Sequence, residues 1–223
     1  MKQAVFIVGA ARSGTTAMLK LLDLSNETVC EMEPEPNLNS ESRGMWDGSL
    51  ADPYNSLVGS VMCRIAKAFQ RGDFYVEKQV SLVPFMKVLS ELTGCKFIVM
   101  TRNGKDAVKS IINWHNRAFP VFYKECDSNT VDAIDSDGDD EMIDLFDFSL
   151  PRPLSKEEYS SRWFLMERLE MVSWYWSRVN RELFKRLAAI PEESFLTVDV
   201  ADFSLETVAP PQTRPDRRPG IKP

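Results

Sequence analysis

The sequence is short of the groups that usually announce a metal site. It has one histidine, His115, in 223 residues, and its four cysteines, Cys30, Cys63, Cys95 and Cys126, lie far apart with no C-x-x-C pair. That spacing argues against a paired-cysteine metal site, and Cys95, at the head of an apolar strand-like run, reads as a buried reduced thiol. No apolar run approaches the ~20 residues of a membrane span. The chain enters its first strand with no charged leader or hydrophobic signal region before it, so the expectation is a cytoplasmic, reduced protein with no membrane partner. Positive charge is not in excess either. With 27 Lys and Arg against 33 Asp and Glu, net −6, the chain is not a broadly basic nucleic-acid binder, although a local basic pocket can still hold a small polyanion.

What is present is ordinary in bulk and specific in two places. An apolar content of 43% and a charged content of 27% suit one globular domain. We place a single α/β domain over residues 1–204, with an acidic insertion at about 120–153 and a Pro/Arg-rich tail over 205–223. The expected fold is a three-layer α/β/α arrangement around a mainly parallel sheet, of the P-loop NTPase-like kind.

The first specific stretch is Ala4 to Leu22, A-V-F-I-V-G-A-A-R-S-G-T-T-A-M-L-K-L-L. Val5 to Val8 form a continuous apolar run that suits a strand buried on both faces. Gly9 and Gly14 bracket a bend, and Thr15 to Leu22 continue at helical spacing. A strand-loop-helix of this kind aims the free N–H groups of the first helical turn, and the positive end of the helix dipole, at one point where a phosphate fits. The frame is that of a nucleotide P-loop, G-x4-G-K-[ST], but Thr15 stands where the lysine belongs. Arg12, inside the loop, is then the one positive side chain expected at that phosphate. Loss of the lysine argues against γ-phosphate chemistry.

The second stretch is Cys95 to Arg117. Lys96 to Thr101 reads as a buried parallel strand, and Arg102-Asn103-Gly104-Lys105-Asp106 turns it into a helix containing Ser110. An arginine at a strand end and a hydroxyl on the next helix can grip one phosphate from two sides. His115 follows on the same helix and remains a candidate for proton transfer.

Between these stretches, Glu27 to Met32 reads as a second strand. Glu31-Met-Glu33-Pro34-Glu35-Pro36 reads as a stiff extended segment, because prolines at alternate positions forbid helix. Asn37 to Asp52 reads as a loop, and Pro53 to Arg71 as an amphipathic helix. Asp73 to Lys78 reads as a strand with a charged pair, Glu77 and Lys78, at its carboxyl end, where ligands of open α/β sheets bind. Glu125 to Asp147 is dense in Asp and is expected to be a lid or insertion, since its glycine falls at the wrong place for a calcium loop. Ser155 with Glu158 has the capping-box pattern, and no proline or glycine interrupts a long helical pattern from there to about Leu187. Ser194 to Val200 reads as the last strand.

Ala11-Arg12-Ser13-Gly14-Thr15-Thr16 resembles the 5′-phosphosulfate loop P-[KR]-S-G-T-T of the sulfotransferases that use 3′-phosphoadenosine 5′-phosphosulfate (PAPS), with Ala11 in place of proline. Arg102 to Ser110 resembles the 3′-phosphate signature R-[ND]-P-x-D-x-x-x-S of the same family, with Gly104 in place of proline. The likeness is to the bacterial and carbohydrate-type members rather than the cytosolic ones, whose catalytic histidine position is held here by Val80. The resemblance implies sulfuryl transfer from PAPS to an acceptor hydroxyl or amine, leaving 3′-phosphoadenosine 5′-phosphate (PAP), with no metal required. It implies that Ala11, Arg12, Ser13, Gly14, Thr15, Thr16, Arg102 and Ser110 bind the nucleotide. It further implies that Lys78 and Arg12 meet the transferring group and that Glu33 or Glu35 is the general base. Arg217 or Arg218 would close the 3′-phosphate site. The acceptor would be a small molecule or carbohydrate, chosen by loops such as Asn37 to Asp52 and Phe119 to Pro153. Two other readings stand beside this one: a P-loop nucleotide kinase or hydrolase, and a non-catalytic phosphoadenosine-binding module.

Overall fold

The computed structural model describes residues 2–72, 74–118 and 150–202, with the backbone alone at 115–118. The acidic segment around 125–147, Cys126, Arg217, Arg218 and the side chain of His115 therefore lie outside the described residues.

Five strands form one all-parallel sheet in the order β2-β3-β1-β4-β5. They are β1 (Gln3–Val8), β2 (Thr28–Met32), β3 (Phe74–Lys78), β4 (Lys96–Thr101) and β5 (Phe195–Asp199). β1 runs through the middle, where Phe6, Ile7 and Val8 are fully buried on both faces. Each such side chain contributes about 1.5–3 kcal/mol relative to exposure. The crossover from β3 to β4 passes over β1, so the strand order reverses there. Crevices at such reversals, beyond the carboxyl ends of the strands, are where open α/β sheets bind ligands.

The two faces of the sheet are covered unequally. On one, α1 (Thr15–Leu22) packs Met18 and Leu19 against Ile7, Val76 and Met100. On the other lies the main core, built by α2 (Asn39–Asp47), α3 (Pro53–Leu57), α4 (Cys63–Ala68), α5 (Met86–Thr93), α6 (Gly104–Ala118) and α7 (Arg168–Leu187). The fold class expected from the sequence is the one observed. No helix among the described residues is long and apolar enough to cross a membrane. Cys95 is fully buried, and burial pushes its thiol up to about 11, as befits an inert reduced cysteine.

Four local expectations are corrected. The span 37–52 is not a loop: α2 occupies it, burying Ser42, Gly44 and Trp46 and ending at the left-handed Gly48. The amphipathic helix expected from Pro53 onward is interrupted by a π-helical turn, Val58–Met62, between α3 and α4. The helix expected from Ser155 begins only at Arg168. Met166 and Glu167 are extended, the capping box is Glu167 with Glu170, and a 3₁₀ turn, Ser160–Leu165, precedes it and buries Trp163. Apolar periodicity runs through the break and conceals it. The segment after β2 is not extended throughout: Glu33 turns left-handed at φ 48°, with its N–H bonded to Lys78 O at 2.9 Å.

Candidate functional site

The loop from Gly9 to Gly14 leaves β1 at the centre of the sheet. A Cβ on Gly9 would lie 2.5 Å from Met100 O, and one on Gly14, at φ 84°, would lie 2.4 Å from the Val200 side chain. Only glycine lets the loop pass this close to β4 and to the chain after β5. The first intrahelical bond of α1 is Met18 N–H to Gly14 O, so the amides of Thr15, Thr16 and Ala17 have no helical acceptor. Tyr175 of α7 supports the loop from below, its hydroxyl oxygen accepting from Ala11 N–H at 3.0 Å. Burial pushes that phenol up to about 12, so it stays neutral in this role. Ser13 is buried, and its Oγ has no hydrogen-bond partner among the described residues. An orphaned hydroxyl beside free helical amides is a costly arrangement unless an anion completes it.

Arg12 does not point into that cradle, as its place in the loop implied. The residue is left-handed, at φ 64°, and its side chain reaches away to α6, where Nε donates to Ser110 Oγ at 3.3 Å and the guanidinium lies 5.5 Å from the centre of the Trp114 ring. Arg102, just beyond β4, donates from Nη1 to Arg12 O at 2.9 Å. One open cavity of about 460 Å³ is lined by Arg12, Arg102, Asp106, Lys109, Ser110, Asn113 and Trp114. Arg12, Arg102 and Ser110 are thus brought together on a pocket that holds three cations against one acid. Gly104, where the resembled signature has proline, lies under the Trp176 ring, which a Cβ would approach to 3.1 Å.

Lys78 ends β3 next to the loop. It is buried, and its Nζ forms a short ion pair with Glu33 Oε1. Lys78 and Glu33 therefore meet at the carboxyl ends of the strands. Glu35 is held elsewhere: its two carboxylate oxygens accept from the backbone and side-chain N–H groups of Asn37 at 2.9 and 2.7 Å. Those bonds hold its carboxyl below the usual carboxylate range.

Glu77 does not pair with its neighbour Lys78. It points to the opposite face, where Arg64 of α4 donates Nη2 to Oε1 at 2.9 Å and Nε to Oε2 at 3.2 Å. Tyr75 lies 2.6 Å from Glu77 Oε2. With its carboxamide turned to suit its neighbours, Gln79 donates to Glu77 Oε1 at 3.0 Å. Burial raises the Glu77 carboxyl, with Arg64 acting against it. Arg64 also donates from Nη1 to Pro36 O at 3.0 Å, which ties this network to the turn that carries Glu33. Sequence reasoning missed Arg64, Trp114 and Tyr175, because each acts through a partner distant in the chain. For Trp114, its place one turn beyond Ser110 was the available signal.

No family model matches the sequence, and no curated protein matches it. Among solved structures, the fold is similar to the sulfotransferase domain from the curacin biosynthetic pathway, at a TM-score of 0.50 and 12% sequence identity, covering 89% of this chain and 67% of that one.

Proposed function

We propose that the protein transfers a sulfuryl group from PAPS to a hydroxyl or amine of a small-molecule or carbohydrate acceptor. The observation that carries this reading is the second anion pocket of Arg12, Arg102 and Ser110 beside the loop cradle. A polyphosphate hydrolase needs one phosphate track and a lysine on it, whereas two adjoining anion grips call for a nucleotide phosphorylated at two positions. The similar fold of a sulfotransferase domain is consistent with this reading.

PAPS, when bound, supplies an activated sulfuryl group on a phosphate leaving group. The chain's own residues do the rest. The amides of Thr15 and Thr16, with the Ser13 hydroxyl, hold charge on the 5′-phosphate by preorganised dipoles. Arg102 and Ser110 hold the 3′-phosphate. Lys78 donates toward the oxygens on which charge develops. Glu33 keeps Oε1 on Lys78, leaving Oε2 to take the acceptor proton. The S–O bond to the leaving phosphate breaks as the new bond from the acceptor forms, and the acceptor proton passes to Glu33. The fixed cations and amides supply the charge stabilisation, so the reading requires no metal.

Calorimetric titration of PAP, adenosine 5′-monophosphate and ATP, with and without Mg²⁺, tests the nucleotide. Transfer of labelled sulfuryl groups across a broad acceptor panel tests the chemistry. Preference for PAP, with turnover lost in Glu33→Gln, is expected. Preference for ATP with Mg²⁺ would replace this reading with a kinase. PAP binding with no transfer to any acceptor would leave a binding module.

A further inference from the structure

The pocket that carries the functional reading presents an aromatic face which that reading does not use. Trp114 stands four residues after Ser110 on α6, so hydroxyl and indole lie on one face of the helix and meet the same guanidinium. Arg12 is exposed, on a flexible stem that would otherwise spread over many rotamers. Three constraints converge on it. Arg102 holds its carbonyl in a left-handed turn, Ser110 takes Nε, and the Trp114 ring faces the guanidinium at 5.5 Å. Only Nε of the guanidinium is hydrogen-bonded among the described residues, which leaves both terminal nitrogens for an anion in the pocket shared with Arg102 and Lys109.

We infer that Trp114 is a positioning residue, which holds Arg12 at the second phosphate site and so sets the preference for nucleotides phosphorylated at both the 3′ and 5′ positions. The inference rests on the proposed nucleotide and goes beyond it. It takes Arg12 from the first phosphate, where the loop sequence put it, and gives it to the second. It also makes an indole that need touch no phosphate responsible for selectivity.

The test is calorimetric titration of PAP and adenosine 5′-monophosphate into the full chain and its variants. Trp114→Leu is expected to weaken PAP binding by about 5- to 30-fold, the range of a cation–π contact, while the monophosphate changes by less than about twofold. Trp114→Phe, which keeps a ring, should restore most of the loss. The double variant Arg12→Ala/Trp114→Leu should bind PAP no more weakly than Arg12→Ala alone, because the indole acts through the guanidinium. Equal loss for both nucleotides would overturn the inference in favour of an indole that meets the base. Additive losses, or no loss at all, would overturn it as well. A wild-type chain with no preference for PAP would instead sink the nucleotide assignment itself, and no variant is needed to see that.

Discussion

Glu77 and Lys78 are consecutive, oppositely charged and both buried at the end of β3, yet the pleat of the strand sends them to opposite faces and into opposite kinds of neighbourhood. Glu77 lies at 0% exposure in a closed set of partners, with both carboxylate oxygens occupied by Arg64 and further bonded by Tyr75 and Gln79. Lys78 reaches a single carboxylate, that of Glu33, whose side chain is 51% exposed and has a second oxygen to spare. A buried charge whose bonding capacity is filled can only hold structure together. One with capacity left toward a crevice is available for chemistry.

Substitutions on each side put that contrast at risk. The largest effect belongs to the open side. Glu33→Gln should lower turnover by about 10²–10⁴-fold, the usual worth of a general base, while the urea unfolding midpoint stays close to wild type. Retained turnover would remove Glu33 from the chemistry. On the closed side, Arg64→Met should lower stability by about 3–5 kcal/mol, because Glu77 is left buried without its cation. Adding Glu77→Met should recover most of that loss in denaturant unfolding, and failure to recover would mean the network does more than satisfy itself. At the second pocket, Arg102→Ala should weaken PAP by ~1.5–3 kcal/mol in a binding titration, the worth of a charged hydrogen bond.

The smallest effect is expected at Glu35. Its carboxyl is held low by the Asn37 bonds, so its contribution to stability is present above the ordinary carboxylate pKa and is lost as pH falls through the lower, folded value. Glu35→Gln should therefore differ slightly from wild type in thermal unfolding near neutral pH and converge with it in acid. A large loss of turnover in this variant would transfer the base role from Glu33 to Glu35.

Several elements are legible in the amino-acid order alone. β1 and β4 announce themselves as apolar runs ending in a glycine or an arginine, and the helices after them by spacing. Helix α2 is not legible, because Asn39–Asp47 is polar and its hold on the core is two or three side chains, Trp46 chief among them. The start of α7 is misplaced for the opposite reason: apolar periodicity continues through residues that turn the other way. At the site, the loop residues and the Arg102 to Ser110 spacing are visible as local motifs, whereas the direction in which Arg12 points is not.

The order of apolar runs, glycines and hydroxyls along the chain was enough to specify an α/β fold with amides free at one helix start and an arginine and serine grouped at another, since those features depend on neighbours within a few residues. Only the folded chain decided that Arg12 turns to Ser110 and Trp114, that Glu33 meets Lys78 across 45 positions, and that Arg64 rather than Lys78 neutralises Glu77. Long charged side chains reach several ångströms in any direction. Their partners are chosen by which strand end, helix face or turn is brought within that reach, and no local pattern encodes it.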